Sequence, residues 1–291
     1  VIIASCGFTG NIESIKKVVE FQPGAIVLKS LFEEQILSEA YTGINQNGYD
    51  YPESLDYIKQ YTRMNNLSKY LELLRETKKI THIPIIASIN CVTATEWTEF
   101  AKEIQKAGAD AIELNISILS TNPDYSAQDN EKIYFDIIKK INEFVTIPVT
   151  IKLSNNSSGL AHLLRAIDRY NIVKGFVLFN RHYCPDIDIH QQKIVQSHVF
   201  SYSNDYPETL RWTAIMSGKL KHDIVATTGI HNGETAIKFF LAGAKAVQIS
   251  SVLYKNDLKS IQTIKDEISA WMDQNGYKTL ADFTGKLSMD K

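Results

Sequence analysis

Cysteine is scarce in this sequence. Only three occur in 291 residues, at Cys6, Cys91 and Cys184, and no two of them form a CxxC pair. This spacing excludes a disulfide framework and offers no ligand set for a zinc or iron–sulfur site. We therefore expect a protein of a reducing compartment and predict a cytoplasmic location.

A strong net charge and long apolar runs are also absent. The formal net charge is −2, which gives no reason to expect nucleic acid or an anionic membrane as a partner. No apolar run approaches the length that crosses a bilayer, and no signal peptide is visible. Because no linker or low-complexity run divides the chain, we predict one domain over residues 1–291.

Short apolar segments recur along the whole chain, and most are followed by sequence with helical periodicity. Alternation of strand and helix indicates a parallel sheet with right-handed crossovers. Eight such units favour a closed (β/α)8 barrel, the TIM barrel, over an open doubly wound sheet. The predicted strands are Val1–Ala4, Ala25–Leu28, Ile85–Ile89, Ala111–Asn115, Pro148–Leu153, Gly175–Phe179, Ile224–Ala226 and Ala246–Ile249.

Two segments are too long for this repeat. Phe32–Ile80 contains GINQNGYDYPESLDY, and we expect a loop over the barrel mouth together with helices such as Ser68–Lys79. Ile187–Tyr206 alternates polar and apolar residues without helix stop signals, which indicates a β-hairpin or flap inserted after the sixth strand. Long loops in compact domains are usually functional or disordered, and the aromatic content of these two favours order.

Lys221–Tyr254 is predicted to be strand, glycine turn, helix and strand. Asn232 is placed to cap a helix over Glu234–Leu241. The turns after the two strands hold the small residues Thr227, Thr228 and Gly229 in one case, and Ser250 and Ser251 in the other. Backbone N–H groups and hydroxyls at such a place suit a phosphate, although small residues also serve tight packing in an ordinary βαβ unit.

In a (β/α)8 barrel the site lies at the carboxyl ends of the strands. The residues delivered there are polar and almost free of carboxylates, so the simplest counter-charge for the lysines is a bound ligand. Lys152 has two other readings, a Schiff-base lysine as in barrel aldolases or a partner of a loop carboxylate. The residues are Ser5, Lys29, Ser30, Asn90, Asn115, Ser117, Lys152, Asn180, Thr228, Gly229, Ser250 and Ser251.

Several phrases, in order along nearly the whole chain, resemble the dihydroorotate dehydrogenase family and the related dihydropyrimidine dehydrogenase barrels. They are IIASCGFTG, AIVLKS, AIELNIS, IPVTIKLS, GFVLFN and TTGIHNGETAIKFFLAGAKAVQISS. The resemblance implies an FMN-binding barrel that oxidises or reduces a C–C bond in a small ring, with dihydroorotate to orotate as the family reaction of pyrimidine biosynthesis. The alternative is a non-redox barrel for a phosphorylated metabolite, either an aldolase-like lyase or a binding subunit.

The resemblance also assigns roles to residues. It implies substrate contacts for Asn115 and Asn180, and a position near the flavin for Lys152, whose charge would stabilise a reduced flavin. The flavin-binding positions that it implies are Ala4, Ser5, Lys29, Ser30, Asn90, Asn115, Lys152, Thr228, Gly229, Ser250 and Ser251.

One position departs from the family pattern. Where relatives have Asn-x-Ser-Cys-Pro or Ser-Pro, with that Cys or Ser as the catalytic base, this chain has Ile118 and Leu119. Isoleucine accepts no proton, so the resemblance supports the family's reaction less well than it supports flavin binding. The nearest candidates for a base are Ser117, Ser120 and the group His182-Tyr183-Cys184.

Electron partners are inferred partly from absences. With no iron–sulfur cysteine cluster and no GxGxxG fingerprint, we expect no second redox module in this chain. Electrons should pass to a soluble acceptor in the same pocket or to a separate redox protein. A homodimer is expected from the resemblance alone.

Overall fold

Eight parallel strands close into a barrel in the computed structural model, which describes residues 1–32, 52–90, 94–116, 118–182 and 184–289. Each strand pairs in parallel with the next, in the ring order β1-β2-β4-β5-β6-β7-β10-β11, and β11 returns to β1. The eight strands are β1 Ile2–Ile3, β2 Ala25–Val27, β4 Ile85–Asn90, β5 Ala111–Ile116, β6 Val149–Leu153, β7 Val173–Leu178, β10 Asp223–Ala226 and β11 Ala246–Ile249.

Three further strands among the described residues lie outside this ring. β3, Leu31–Phe32, pairs with the end of β4 and was not predicted from the sequence. β8, Cys184–Asp188, and β9, Lys193–Ser197, form an antiparallel hairpin. The inserted hairpin after the sixth barrel strand is therefore confirmed, although it begins three residues before the predicted segment and ends at Ser197.

The helices lie between the strands, as the (β/α)8 order requires. The last two α-helices described, Ser251–Asn256 and Ser260–Gln274, are separated at Asp257, whose φ is +70°. The structure describes α1 Ile12–Val19, α2 Pro52–Ile80, α3 Ala94–Lys106, α4 Ala127–Asn142, α5 Leu160–Ile167, α6 Pro207–Met216, α7 Gly233–Ala242, α8 Ser251–Asn256 and α9 Ser260–Gln274. None of these described helices combines the length and the apolar character that crossing a bilayer requires.

The helix α7 shows how local sequence fixes one of these units. Asn232 caps it by accepting a hydrogen bond from the Thr235 N–H at 2.9 Å, as predicted. Gly243 ends it with φ +112°, and a Cβ there would lie 2.4 Å from Ser217. Only glycine satisfies both conditions, so the chain turns directly from α7 towards β11.

The core consists of the barrel strands and the inner faces of the helices around them. Its largest fully buried side chains are Trp97, Phe100, Phe176, Phe239, Phe240 and Phe283. Polar side chains occupy part of the barrel interior, and these belong to the candidate site.

Candidate functional site

A cavity of about 180 Å³ lies at the carboxyl ends of the barrel strands. Eight of the predicted site residues line it, namely Ala4, Ser5, Lys152, Asn180, Thr228, Gly229, Ser250 and Ser251. The remaining described residues of its wall are Phe179, Arg181, Val199, Ser201, Thr227, Ile230, Gln248 and Ile249. No Asp, Glu, His, Cys or Tyr occurs among these described wall residues, so the cavity suits an anionic group and offers it no repelling carboxylate.

The loops after β10 and β11 supply unused hydrogen-bond donors to this cavity. Among the described residues, no protein acceptor receives a hydrogen bond from the backbone N–H groups of Thr228, Gly229, Ile230, Ser250 or Ser251. Backbone amides are strong donors that normally find a partner when they lie in a fold. Five of them at one cavity form an anion-binding set of the kind predicted from the sequence.

The loop after β10 has a left-handed backbone at two successive residues. Thr228 has φ +77° and Gly229 has φ +73°. A Cβ on Gly229 would lie 2.5 Å from the backbone nitrogen of Tyr206, so glycine is required there on two counts. Thr228 adopts a conformation that β-branched residues rarely take, and its hydroxyl donates to the Phe179 carbonyl at 3.2 Å.

Lys152 has a protein counter-charge, which corrects the sequence-based inference that a ligand supplies it. Its Nζ lies 3.7 Å from Oε1 of Glu113, whose side chain is 1% exposed. Gln248 stands between the two, because its Nε2 donates to Glu113 Oε2 at 2.7 Å and its Oε1 lies 3.5 Å from Lys152 Nζ. Glu113 was missed because it lies inside a strand, two residues before the end at which site residues were sought.

Serine hydroxyls extend from the cavity wall into the barrel. Ser5 Oγ lies 3.0 Å from Ser30 Oγ and accepts from the Ser30 N–H, and Ser30 Oγ lies 2.7 Å from Ser88 Oγ. The hydroxyl of Tyr70 bonds both backbone groups of Ser88. Burial raises the pKa of Tyr70 well above its ordinary value. Ser30 therefore supports Ser5 from behind and does not line the cavity itself.

The other predicted residues have separate positions. Lys29 is exposed, and its N–H donates to the Thr9 carbonyl. It was expected to face the barrel interior, and that expectation is wrong. Asn90 ends β4 beside β3 and is not part of the cavity wall. Asn115 is buried behind the wall, where its Oδ1 accepts from Nδ2 of Asn180 at 2.5 Å. The structure thus brings the two predicted substrate-binding asparagines together.

The described residues among those proposed around the catalytic base, Ile118, Ser120 and His182, do not line this cavity. Ile118 and Ser120 line a second cavity of about 220 Å³, which lies between the loops that follow β5 and β6. Ser154 donates weakly to the Ile118 carbonyl at 3.4 Å. His182 is partly buried before the hairpin. Ser117, Tyr183 and the side chain of Cys184 lie outside the described residues.

The segment after the hairpin, residues 198–206, forms one wall that sequence reasoning did not assign. Ser201 N–H donates to Ser251 Oγ at 2.9 Å, and Ser201 Oγ lies 3.2 Å from Nε2 of His231. Lys255 Nζ donates to the Ser201 carbonyl at 2.8 Å. Burial, with a smaller contribution from Lys255, lowers the pKa of His231. These bonds attach the segment to the loops that carry the free amides.

Several proteins that are similar to this chain are named dihydroorotate dehydrogenase. A protein of Thermoplasma volcanium named dihydroorotate dehydrogenase B (NAD(+)), catalytic subunit, is 25% identical over 305 residues, covering 98% of this chain and 93% of the relative. A Caldicellulosiruptor bescii protein of the same name is 28% identical over 302 residues, covering 99% and 95%. One from Caldicellulosiruptor saccharolyticus is 30% identical over 210 residues, covering 70% and 69%.

The family-level comparison covers most of the chain. The family model described as dihydroorotate dehydrogenase matches residues 1–272, a range that contains every barrel strand and every residue of the cavity wall. The chain therefore belongs to the dihydroorotate dehydrogenase family.

Proposed function

We propose that this chain binds FMN non-covalently in the cavity and acts as the flavin-dependent catalytic barrel of an oxidoreductase for a small ring substrate. One observation carries the proposal. Five backbone amides that donate to no acceptor in the described part of the chain lie at a cavity that contains a buried lysine and has no acidic side chain in its described wall. This donor set fits a phosphate at one place and an electron-accepting ring at another.

The phosphate would be held by the loops after β10 and β11. The amides of Thr228, Gly229 and Ile230 and those of Ser250 and Ser251 would donate to its oxygens. Ser251 Oγ already accepts a hydrogen bond from Ser201, so its own proton is available for the phosphate. The helix α7 contributes less, because its first N–H, on Gly233, donates to the Glu267 carboxylate.

The ring would lie against the residues of β1, β6 and β11 that reach the cavity. Bound FMN would supply hydride and electron transfer, chemistry that no side chain in the described wall can provide. Lys152 would donate a hydrogen bond and stabilise negative charge on the ring. The Asn115–Asn180 pair would present amide groups to the substrate, as the resemblance implies.

Substrate oxidation also requires a proton acceptor. The described wall contains no Asp, Glu, His, Cys or Tyr, and Ser5 is held by Ser30. Dihydroorotate is the substrate of the relatives by their names, and we propose a ring substrate of related size for this chain. The identity of that substrate depends on which group accepts the proton, because Ile118 cannot accept one.

The electrons are proposed to leave for a separate protein or a soluble acceptor. The relatives are named as catalytic subunits of an NAD(+)-dependent enzyme, which supports a separate redox partner. Among the described residues, no group of three or more His, Cys, Asp or Glu side chains could hold a metal ion. A homodimer is proposed on family resemblance.

The phosphate part of the proposal is tested by comparing FMN with riboflavin. Both carry the same ring, so a difference in affinity measures the phosphate contacts. We expect FMN to bind at least about ten-fold more tightly for each charge-assisted hydrogen bond formed. Fluorescence quenching of each flavin by the apoprotein gives the two dissociation constants. Equal affinities would contradict phosphate binding by these loops.

A further inference from the structure

Two charged side chains, Glu113 and Lys152, and the neutral amide of Gln248 meet inside the barrel. Glu113 lies on β5 and Gln248 on β11, and these strands are four places apart in an eight-stranded ring. They are therefore on opposite sides of the barrel. The 2.7 Å hydrogen bond between their side chains must cross the interior. Lys152, on β6 beside β5, reaches the same place from a third strand.

Gln248 is held in one orientation by this arrangement. A carboxylate only accepts hydrogen bonds and an ammonium only donates them. The amide nitrogen must therefore face Glu113 and the amide oxygen must face Lys152, as is found. Gln248 and Lys152 line the cavity, whereas Glu113 lies behind them. The carboxylate thus acts on the cavity without being part of its wall.

Glu113 is placed to offset a charge. Its side chain is 1% exposed, and its Oε1, 3.7 Å from Lys152 Nζ, makes no hydrogen bond within the described part of the chain. A buried carboxylate with one oxygen left without a hydrogen bond is costly unless a cation compensates it. Lys152 is the cation at that distance, and the pair carries no net charge.

We propose that Glu113 is the charge-balancing residue of this site, a positioning residue that neutralises Lys152 from behind the wall. The inner end of the cavity is then polar and near neutral, so it accepts an uncharged planar ring with hydrogen-bonding edges. Lys152 stabilises negative charge that develops on that ring, and Glu113 moderates the effect. The proposal deepens the proposed function and rests on it for the ring, but the charge pair can be tested without any flavin.

The first test is a thermal unfolding cycle on the apoprotein with Glu113→Gln, Lys152→Met and the double variant. Each single change leaves one buried charge without its partner, whereas the double change leaves none. We expect the double variant to unfold at a higher temperature than either single variant. If the two losses add, so that the double variant is the least stable, Glu113 and Lys152 are not a coupled pair and the proposal is overturned.

The second test is the midpoint potential of bound FMN at pH 7. Removal of the Glu113 charge leaves Lys152 uncompensated, so Glu113→Gln should raise the potential. Removal of the lysine charge by Lys152→Met should lower it. Glu103→Gln is the matched control, because Glu103 pairs with Lys106 on the surface and should leave the potential unchanged. A Glu113→Gln potential equal to or below that of the unmodified protein overturns the balancing role.

The two tests separate the possible failures. If neither the unmodified protein nor any variant binds FMN, the proposed function fails. The unfolding cycle on the apoprotein still decides whether Glu113 and Lys152 are coupled. If FMN binds and the potential does not respond to Glu113→Gln, the flavin assignment stands and the charge-balancing role is wrong.

Discussion

At the scale of single residues, position in a strand decided what could be foreseen. Lys152 and Asn180 were found because each lies where a strand ends, and such ends meet at the mouth of a barrel. Glu113 was not found, because nothing in the sequence shows that a residue within β5 reaches across to β11. Lys29 was expected inside and is exposed, since the direction of a side chain after a strand depends on the turn that follows.

Thr228 provides a test of the loop after β10. With φ +77°, a residue with a Cβ is strained there, and glycine is not. We expect Thr228→Gly to be more stable than Thr228→Ala by about 1 kcal/mol, the reverse of the usual order. Both variants lack the hydroxyl, so their difference isolates the backbone. Denaturant unfolding measures it, and an alanine variant of equal or greater stability would count against the loop conformation.

Ile118 provides a test of the missing base. We expect the unmodified protein, with FMN bound, to oxidise dihydroorotate slowly or not at all, because a positioned base contributes about 10²–10⁴-fold. Ile118 lines the second cavity, so Ile118→Cys, alone or with Leu119→Pro, should leave the rate low. Steady-state turnover is the measurement, with Ile118→Ala as a control that cannot accept a proton.

Two outcomes would contradict this expectation. Vigorous oxidation by the unmodified protein would mean that another group is the base, and that the placement of Ile118 and Ser120 in the second cavity does not hold during the reaction. A large gain in Ile118→Cys, absent in Ile118→Ala, would mean that position 118 faces the substrate.

At the scale of helices and strands, most of the barrel could be predicted from the sequence. All eight strands were predicted within two residues at each end, because buried parallel strands appear as short apolar runs and several of these runs follow a glycine or proline. The hairpin was shifted, since Cys184 and Pro185 give no alternation signal. β3 was missed because two residues are too few for a pattern. The position of residues 198–206 along the cavity could not be predicted, because it depends on contacts with residues distant in sequence.

The pH dependence of stability tests the contact between His231 and the segment of residues 198–206. Burial lowers its pKa in the folded protein from the ordinary 6.5, so folding favours the neutral ring. This contribution to stability is present above pH 6.5 and is lost as the pH falls through the lower folded value. The charged groups that face His231 are Lys255, which adds to the shift, and Asp205, which opposes it.

We therefore expect unfolding midpoints of the unmodified protein to fall more steeply between pH 7.5 and pH 5 than those of His231→Asn. The asparagine keeps a polar group near Ser201 but does not titrate. Urea unfolding at a series of pH values measures both slopes. Parallel curves for the two proteins would show that His231 does not contribute to the pH dependence.

At the scale of the whole molecule, the barrel explains why distant residues share one site. β11 pairs with β1, and β10 pairs with β11, so the loops that carry the free amides lie at the same cavity as Ser5. β6 brings Lys152 to that cavity from the opposite part of the ring. The eight alternating strand and helix units of the sequence were enough to predict this architecture. It could not show that Lys152 is already paired, because that depends on contacts across the barrel.

The absorption spectrum of the purified protein is the most direct test of the account. We expect flavin bands that remain after desalting and are released as FMN on denaturation, or that form when FMN is added to the apoprotein. Borohydride in the presence of candidate substrates should trap no adduct on Lys152, because a flavin-dependent oxidation forms no Schiff base with the protein. A colourless protein that takes up no FMN, or a trapped adduct on Lys152, would contradict the flavin assignment.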